Sequence, residues 1–354
     1  MVELNAALLA KPVRRNRLAA FVEQRWYSRP GWLWLLCPFE YLFRGIAYYR
    51  KKTLTQRQTT SPLPVIVVGN ISVGGTGKTP VIIALAQYLR DNGFKPGVIS
   101  RGYGRTTTTL HCVGPSSTAA NAGDEPLEIY QATRLPVIVS ADRRQAVQYL
   151  AESGDCTIVL ADDGLQHYTL PRALEIVVLD GDKMFGNGHC MPVGPLREPV
   201  SRLGSVDEVL VRGGNRSLLG ASVFQFLTVG LTNVKSGEKK PLNFLCSLPP
   251  FYAVAGIGNP QKFYTSLNEV GQLHCAVEKP LRYTACSFPD HYTYSEHDFT
   301  FANHSPIVMT AKDAVKCQAF AQDNWWCLNI QADLPEPMLG RLLEKIRKVT
   351  TDVI

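Results

Sequence analysis

A glycine-rich loop that could hold a phosphate chain occupies residues 72–79. An apolar run precedes the loop and a helical pattern follows it, which is the strand–loop–helix order of a P-loop. Glycines let backbone N–H groups approach phosphate oxygens, and the helix N-terminus adds partial positive charge. The lysine could reach the β- and γ-phosphates, and the last threonine could hold Mg²⁺. The loop reads Ser72-Val73-Gly74-Gly75-Thr76-Gly77-Lys78-Thr79.

Ser72 departs from the usual P-loop pattern, which has glycine at this position. The alternative is therefore an ordinary glycine-rich turn. The flanking patterns, with Lys78 and Thr79 in register, favour a nucleoside triphosphate site. The segment 310–313 is no guanine-reading motif, because its lysine and aspartate are adjacent. ATP is therefore favoured over GTP.

Two pairs of acidic residues could supply metal-binding and proton-accepting groups. Asp162 and Asp163 follow an apolar strand pattern, where P-loop enzymes need a carboxylate for Mg²⁺ or its waters. The alternative for this pair is a turn with two solvated acids. Asp124 and Glu125 begin a predicted helix, and from spacing alone an ordinary helix N-cap is the favoured interpretation of Asp124.

Other polar residues follow predicted strands. Arg101 and Tyr103 come after a buried strand and suit phosphate binding, although solvated arginines in a glycine-rich loop are the alternative. Gln166 and His167 lie in the loop after the second acidic pair. His291 follows a strand late in the chain, and a lone loop histidine is most often a surface residue.

The composition is that of a globular protein of about two domains. The chain has 354 residues and a net charge of +7, which suits an acidic partner without requiring nucleic acid. Nine scattered cysteines without a C-x-x-C pair predict free thiols in a reducing cytosol. No run of 18 apolar residues occurs, and no signal peptide is expected.

The pattern of strands and helices predicts an α/β fold. A P-loop NTPase-like, mostly parallel sheet domain is expected, with a second, smaller α/β domain and an N-terminal membrane-interface helical segment. The expected boundaries are 1–58 for the N-terminal segment, 59–225 for the P-loop domain, 226–250 for a hinge-like β-hairpin and 251–354 for the C-terminal domain. Predicted strands lie at 64–68, 96–100, 136–140, 157–161, 175–180, 207–212, 222–229, 242–246, 251–257, 283–287, 306–310 and 324–330.

The N-terminal segment combines many bulky aromatic residues with basic ones. Trp and Tyr prefer the headgroup zone of a bilayer, and Lys and Arg attract anionic lipid. Charged residues and Pro38 interrupt the apolar pattern, which favours lying on a membrane over crossing it. The alternative is that the aromatic residues pack an ordinary helical hairpin onto the core.

Together, in this order, these segments resemble the tetraacyldisaccharide 4′-kinase family, the lipid A 4′-kinases of Gram-negative bacteria. The resemblance covers nearly the whole chain, and the family's loop also carries serine at its first position. Small departures are Leu165, where the family has an aromatic residue, and Ala311, where it has an acid. The motifs are S-V-G-G-T-G-K-T at 72–79, S-R-G-Y-G-R at 100–105, G-D-E-P at 123–126, A-D-R-R at 141–144, A-D-D-G-L-Q-H at 161–167, G-P-L-R-E at 194–198, F-P-D-H-Y at 288–292 and A-K-D-A-V-K at 311–316.

The resemblance implies a kinase that uses ATP and Mg²⁺. Its acceptor would be the 4′-hydroxyl of a tetraacylated glucosamine disaccharide 1-phosphate. The enzyme would be a peripheral protein on the cytoplasmic face of the bacterial inner membrane. Its partners would be the acylated lipid and the anionic membrane surface, without nucleic acid or an obligate protein partner.

The P-loop pattern and the resemblance together predict roles for individual residues. Asp124 becomes the expected catalytic base, with His291 as its partner across the domain cleft and Lys78 on the phosphates. Mg²⁺ would be held by an oxygen-rich group that comprises Thr79, Glu125, Asp162 and Asp163. The sugar and its 1-phosphate would be lined by Arg101, Tyr103, Arg143, Gln166 and His167.

Two other classes of function remain open from the residues. One is a P-loop kinase for a soluble metabolite, in which the N-terminal aromatic residues would pack inside. The other is a nucleotide-driven switch or adaptor that binds ATP and has no acceptor.

Overall fold

One mixed β-sheet runs through the part of the chain that the computed structural model describes, residues 17–213 and 218–351. Its strands are β1 (Val65–Gly69), β2 (Pro96–Ser100), β3 (His111–Cys112), β4 (Val137–Val139), β5 (Ile158–Asp162), β6 (Leu174–Asp180), β7 (Glu208–Arg212), β8 (Ser222–Asn233), β9 (Lys239–Lys240), β10 (Phe251–Ala255), β11 (Tyr283–Ser287), β12 (Ile307–Met309) and β13 (Trp325–Asp333).

The P-loop strand β1 lies inside the sheet, between β5 and β6 and parallel to both. The strand order is β11-β10-β12-β13-β8-β7-β6-β1-β5-β2-β4-β3, with β9 paired to β8. The start of β8 pairs in parallel with β7, and the rest of β8 pairs antiparallel with β13. The long strand β8 therefore joins the sheet of the N-terminal half to that of the C-terminal half.

Helices cover the sheet and connect its parallel strands, which cannot be joined by tight turns. The described helices are α1 (Arg17–Trp26), α2 (Cys37–Thr55), α3 (Lys78–Asp91), α4 (Ala119–Ala122), α5 (Asp124–Thr133), α6 (Arg143–Ser153), α7 (Pro260–His274), α8 (Ala311–Cys317) and α9 (Glu336–Thr351). None of these helices is both long enough and apolar enough to cross a membrane.

The central strands are short apolar runs because both of their faces are covered. Every residue of β1, β5 and β6 is buried. Their alternate side chains enter two separate apolar clusters, so that Ile66 and Val68 pack in one and Val65 and Val67 in the other. The carboxyl ends of these strands therefore meet at one edge of a rigid sheet, where ligand sites of open α/β sheets form.

Most predicted strands are confirmed within a few residues, but the predicted strand at 242–246 is wrong. This segment is a 3₁₀ helix, Leu242–Ser247, and the antiparallel partner of β8 is the short strand β9. Pro241 precedes the 3₁₀ helix and has no N–H group for a ladder, so pairing ends before it.

The prediction that all cysteines are free thiols is also wrong. Cys246 and Cys275 form a disulfide that connects the 3₁₀ helix to the residue after α7. The two residues are 29 apart in sequence, so their proximity depends on the packing of α7 and not on a local motif. The other seven cysteines, all within the described residues, are free.

The N-terminal segment is helical where it is described, and residues 1–16 of the predicted segment lie outside the described part. A 3₁₀ helix, Gly31–Leu36, connects α1 to α2. Leu33 and Glu40 are buried. The Glu40 carboxylate accepts the backbone N–H of Cys190 at 2.9 Å and pairs with His189 Nδ1 at 2.8 Å. These contacts fix α2 against the loop that follows β6.

Candidate functional site

The P-loop forms a cradle between β1 and α3. Gly74 and Gly77 have φ angles of 100° and 88°, in the left-handed region that favours glycine. A Cβ atom built on Gly74 or Gly75 would meet nothing within 4 Å. Because α3 begins at Lys78, the loop presents backbone N–H groups at a helix N-terminus beside open space. The cradle fits a phosphate chain.

Lys78 and Asp163 form an ion pair at the base of this cradle. The distance from Lys78 Nζ to Asp163 Oδ1 is 3.4 Å, and Arg197 lies 3.3 Å from the other carboxylate oxygen. Burial opposes ionisation of Asp163, but Lys78 and Arg197 outweigh it and hold the pKa of this carboxyl below its ordinary value. Asp163 is therefore a carboxylate at neutral pH.

Asp162 is buried at the end of β5, with 1% of its surface exposed. Ser100 Oγ donates to its Oδ2 at 2.9 Å. Burial, followed by the charges of Glu125 and Asp163, raises the pKa of Asp162 to about 7. The Oδ1 atom of Asp162 is buried without a hydrogen-bond partner, and the neighbouring Asp163 Oδ1 has the Lys78 ammonium at 3.4 Å. Buried carboxylate oxygens that lack donors fit a divalent cation, so this donor set is compatible with Mg²⁺.

Protein ligands alone do not complete a metal site here. Within residues 17–213 and 218–351, no group of three or more His, Cys, Asp or Glu side chains is arranged to hold a metal ion. Mg²⁺ usually keeps several waters and takes one or two carboxylates together with substrate phosphates. The arrangement therefore suits a cation that arrives with a nucleotide.

Asp124 and His291 meet although 167 residues separate them in the sequence. The distance from His291 Nδ1 to Asp124 Oδ2 is 3.3 Å. The N-cap position of α5 is taken by Gly123, so the alternative that Asp124 is the N-cap is wrong. His291 also packs edge-on against the ring of Tyr103, with centroids 5.3 Å apart. The histidine is thus part of a contact between the two halves of the chain.

The remaining predicted residues lie at different depths around these groups. Arg101 and Tyr103 are exposed. Arg143 is buried near Asp162 and Asp163, and its Nη1 has no hydrogen-bond partner. Gln166 donates to the Asn70 carbonyl at 3.1 Å and to Glu198 at 2.7 Å.

His167 is held neutral in its loop. Its Nε2 lies 3.2 Å from the Thr169 hydroxyl. Burial, together with the charge of Arg143, lowers the pKa of His167 to about 4. A neutral imidazole at this position can donate or accept one hydrogen bond to a sugar, whereas it adds no charge to the binding of a phosphate.

Several residues at the site were not predicted as site residues. Ser100 bonds Asp162, Arg197 bonds Asp163, and Lys312 lies 3.2 Å from His291 Nε2. Ser100 ends the strand before Arg101, Arg197 belongs to the motif at 194–198, and Lys312 belongs to the motif at 311–316. Their positions next to predicted site residues or within family motifs could have indicated a role at the site, but their contacts depend on tertiary packing.

Comparison with known proteins identifies the family. A family model described as tetraacyldisaccharide-1-P 4'-kinase (LpxK) matches residues 32–347. The chain belongs to this family. A tetraacyldisaccharide 4'-kinase of Methylobacillus flagellatus is 42% identical over 334 residues, which are 93% of this chain and 96% of that protein.

Two further relatives agree with the family assignment. A tetraacyldisaccharide 4'-kinase of Pseudomonas aeruginosa is 44% identical over 316 residues, 88% of this chain and 92% of that protein. The crystal structure of LpxK from Aquifex aeolicus in complex with ATP superposes with a TM-score of 0.73 at 28% identity. This match covers 89% of the present chain and 99% of the Aquifex chain.

The P-loop conformation predicts different effects for two neighbouring glycines. A Cβ atom on Gly77 would lie 2.5 Å from Phe226 of β8, and the φ angle of Gly77 is already unfavourable for other residues. We expect Gly77→Ala to lower the free energy of unfolding by about 1–3 kcal/mol. Gly75→Ala, the matched control in open space, should change it by less than about 0.5 kcal/mol. Denaturant unfolding without nucleotide measures both, and equal losses would contradict this account.

Proposed function

We propose that the protein transfers the γ-phosphoryl group of ATP to the 4′-hydroxyl of a tetraacylated glucosamine disaccharide 1-phosphate in lipid A biosynthesis. One observation carries the proposal. Charged groups lie between the P-loop lysine and a carboxylate–imidazole pair: Lys78 pairs with Asp163, the charges of Glu125 and Asp163 act on Asp162, and Asp124, the neighbour of Glu125 in sequence, pairs with His291. Such an arrangement can place a phosphate chain at one end and activate a hydroxyl at the other.

The family supports this choice of reaction. The relatives from Methylobacillus and Pseudomonas are both named tetraacyldisaccharide 4'-kinases, and the Aquifex structure is a complex with ATP. The acceptor that we propose is the acylated disaccharide for which these two relatives are named. The nucleotide agrees with the P-loop geometry and with the sequence argument for ATP.

The ATP site is assigned to residues 72–79. Their backbone N–H groups surround the phosphates, and Lys78 exchanges its contact with Asp163 for phosphate oxygens. Mg²⁺, when bound, neutralises charge on the phosphate oxygens. Thr79 and Asp163 would hold it, with Asp162 and Glu125 nearby in the acidic group. Arg143 offsets part of the negative charge that these acids place in a buried position.

The acceptor site is assigned to the groups on the outer side of the cradle. Asp124 takes the proton of the 4′-hydroxyl as the oxygen attacks the γ-phosphorus atom and ADP leaves. His291 orients Asp124 through the contact at 3.3 Å. The sugar and its 1-phosphate would be lined by Arg101, Tyr103, Arg143, Gln166 and His167.

Closure of the two halves would complete the site. His291 belongs to the segment 251–354 and Asp124 to the segment 59–225, which we propose as separate domains joined by the hinge-like region 226–250. Because each domain contributes one member of the pair, the base would be oriented only in the closed arrangement. Closure would also exclude water that otherwise hydrolyses ATP.

The surface of α2 favours a membrane-bound enzyme. Ten of the nineteen large hydrophobic side chains that are exposed in the described residues lie between Phe21 and Tyr49, so they are concentrated in one segment. Phe39, Leu42, Ile46 and Tyr49 of α2, together with Leu35 of the preceding 3₁₀ helix, follow one another at intervals of three or four residues and form one exposed apolar stripe. Patches of this kind mark protein or membrane interaction sites.

Basic residues at the end of α2 favour an anionic bilayer over a protein partner. Arg50, Lys51 and Lys52 follow the exposed aromatic residues directly. Each basic residue near an anionic surface contributes about 1 kcal/mol to binding. We therefore assign the protein to the cytoplasmic face of the inner membrane as a peripheral enzyme, with its acylated acceptor supplied from that bilayer.

Lys78→Ala should abolish phosphoryl transfer. The lysine contacts Asp163 at the cradle and its removal opens no cavity in the apolar core, so the fold should persist. Loss of a cation that stabilises the transferring group costs about 10³-fold in kcat. Incubation with γ-³²P-ATP and the lipid acceptor, followed by thin-layer separation, measures the product. Near-normal turnover would contradict the ATP site.

Asp124→Ala and His291→Ala should each lower kcat by about 10²–10⁴-fold while changing the KM for ATP far less. If the two residues act as a unit, the double variant should be little worse than the worse single variant. The exposed His297 provides the matched control, and His297→Ala should retain activity. Fully multiplicative losses would argue against a coupled pair, and a normal rate for His291→Ala would remove that residue from the site.

Replacing Leu35, Phe39 and Leu42 together by serine should detach the protein from vesicles that contain anionic lipid. These side chains are 79%, 59% and 60% exposed, so the change leaves the core intact. Each contributes about 1.5–3 kcal/mol when buried in the bilayer, so vesicle affinity should fall by more than about 100-fold. ATP binding should persist, because the stripe does not contact the P-loop.

The matched control for the membrane test replaces three residues that are equally exposed elsewhere. Leu219, Leu273 and Val277 are 103%, 79% and 94% exposed. Their replacement by serine should leave vesicle sedimentation unchanged. Vesicle binding by the α2 variant as tight as that of the intact protein would show that the stripe does not bind membranes.

A further inference from the structure

Lys312 lies directly against the Asp124–His291 pair. Its Nζ is 3.2 Å from His291 Nε2, 3.2 Å from Asp290 Oδ1 and 4.0 Å from Glu125 Oε1. The lysine side chain is largely buried, and it comes from the first turn of α8. It therefore contacts the imidazole on the side opposite to Asp124.

The chemistry of these contacts fixes the hydrogen-bond roles of the imidazole. A lysine ammonium has three donors and no acceptor, so it can only donate to His291 Nε2. A ring nitrogen that accepts carries no proton, and the proton of the neutral imidazole must then be on Nδ1. Nδ1 is the atom 3.3 Å from Asp124 Oδ2, which is an acceptor when ionised. With its proton on Nδ1, His291 accepts from the Lys312 ammonium and donates to the Asp124 carboxylate, so both hydrogen bonds form at once.

The position of Lys312 is built into the fold by its neighbour Asp313, which is 0% exposed. The Asp313 carboxylate accepts from the Thr310 hydroxyl at 2.6 Å, from the Gly256 backbone N–H at 2.8 Å and from the Tyr294 hydroxyl at 3.0 Å. These bonds fix the start of α8 to the end of β10. The ammonium of Lys312 is consequently held at one place relative to the strand ends.

We propose that Lys312 is a positioning residue for phosphoryl transfer, which holds His291 in the Nδ1–H tautomer that donates to Asp124. The inference rests on the function proposed above and adds a residue to it. It also assigns His291 the role of orienting Asp124 and excludes the role of a general base. Because Nε2 is occupied by the ammonium and Nδ1 already carries a proton, the imidazole cannot accept the proton of the acceptor hydroxyl.

Asp124 therefore receives the proton of the acceptor hydroxyl and does not pass it on to His291. The O–H bond of the acceptor breaks, its proton moves to the Asp124 carboxylate, and the oxygen forms the bond to phosphorus as the bond to ADP breaks. His291 keeps its own proton and orients the carboxylate through Oδ2, which leaves the other oxygen for the hydroxyl. Lys312 acts through His291 and touches neither substrate in this scheme.

The helix that carries Lys312, α8, packs against α5, the helix that begins with Asp124. Between them, Gln131 donates to Gln318 at 2.7 Å. Lys312 and Glu125 approach each other at the start of these two helices. Lys312 and His291 both belong to the C-terminal half, so the ammonium selects the tautomer within that half, and His291 then presents its Nδ1–H to Asp124 where the two halves meet.

The test compares Lys312→Met, which is similar in length and cannot donate, with Lys312→Arg, which donates and cannot accept. We expect Lys312→Met to lower kcat at least about 10-fold, and by no more than the ~10²–10⁴-fold that a general base contributes. The KM for ATP should change little, and Lys312→Arg should recover most of kcat. Lys235→Met is the matched control, because Lys235 is 54% exposed and pairs with Asp323 at a distant surface.

A spectroscopic readout separates positioning from general damage to the fold. Long-range ¹H–¹⁵N spectra of the full-length protein labelled at its seven histidines report the tautomer of each ring, and His291→Gln assigns the His291 signals. We expect the Nδ1–H pattern in the intact protein and in Lys312→Arg, and its loss in Lys312→Met. ATP binding by each variant confirms that the P-loop half remains folded.

Two outcomes would overturn the proposal. One is an Nε2–H pattern for His291 in the intact protein. The other is a Lys312→Met variant whose tautomer or kcat is unchanged. The spectrum of the intact protein requires no acceptor and no turnover, so it tests Lys312 even if the acceptor is wrong. Activity of Asp124→Ala would contradict the proposed function instead, and leave the tautomer result as it stands.

Discussion

The rest of the structure depends on strand β8, which joins the two halves of one sheet and so brings Asp124 and His291 into contact. The two residues come from opposite halves of the chain and are brought to 3.3 Å by one sheet, because β8 pairs with β7 at its start and with β13 along the rest of its length. Phe226 of β8 also packs where a Cβ atom on Gly77 would lie. The strand that joins the halves therefore supports the P-loop as well as the carboxylate–imidazole pair.

Charge balance explains why the site is arranged as it is. Asp162 and Asp163 at the end of β5 and Asp124 and Glu125 at the start of α5 concentrate negative charge, and burial together with this repulsion raises the pKa of Asp162 to about 7. The cations Lys78, Arg143 and Arg197 offset part of it. A buried carboxylate oxygen without a donor, such as Asp162 Oδ1, is costly in a folded protein. Such a cost is typical of functional sites, where a ligand supplies the missing partner.

Local sequence patterns predicted the elements well but not the contacts between distant residues. The strands β1, β5 and β6 were predictable because burial on both faces demands continuous runs of Val, Ile and Leu. The P-loop was predictable because its glycines and lysine are contiguous. Local patterns predicted an N-cap for Asp124 and a surface position for His291. Only the family resemblance predicted that the two residues form a pair. The Cys246–Cys275 bond and the Lys312–His291 contact depend on where α7 and α8 pack, which no local spacing encodes.

The helix that carries the exposed apolar stripe is connected to the site by a short chain of contacts. Glu40 of α2 holds Cys190 and His189, and Cys190 forms a bridge to Leu196. The backbone N–H of the next residue, Arg197, donates to the Ile71 carbonyl, and its guanidinium pairs with Asp163. A buried carboxylate such as Glu40 is strongly held by its partners. The face that we propose for membrane binding is thus fixed relative to Asp163 beside the P-loop, which suits the proposed reaction, whose acceptor would stay in the bilayer while its nucleotide comes from water.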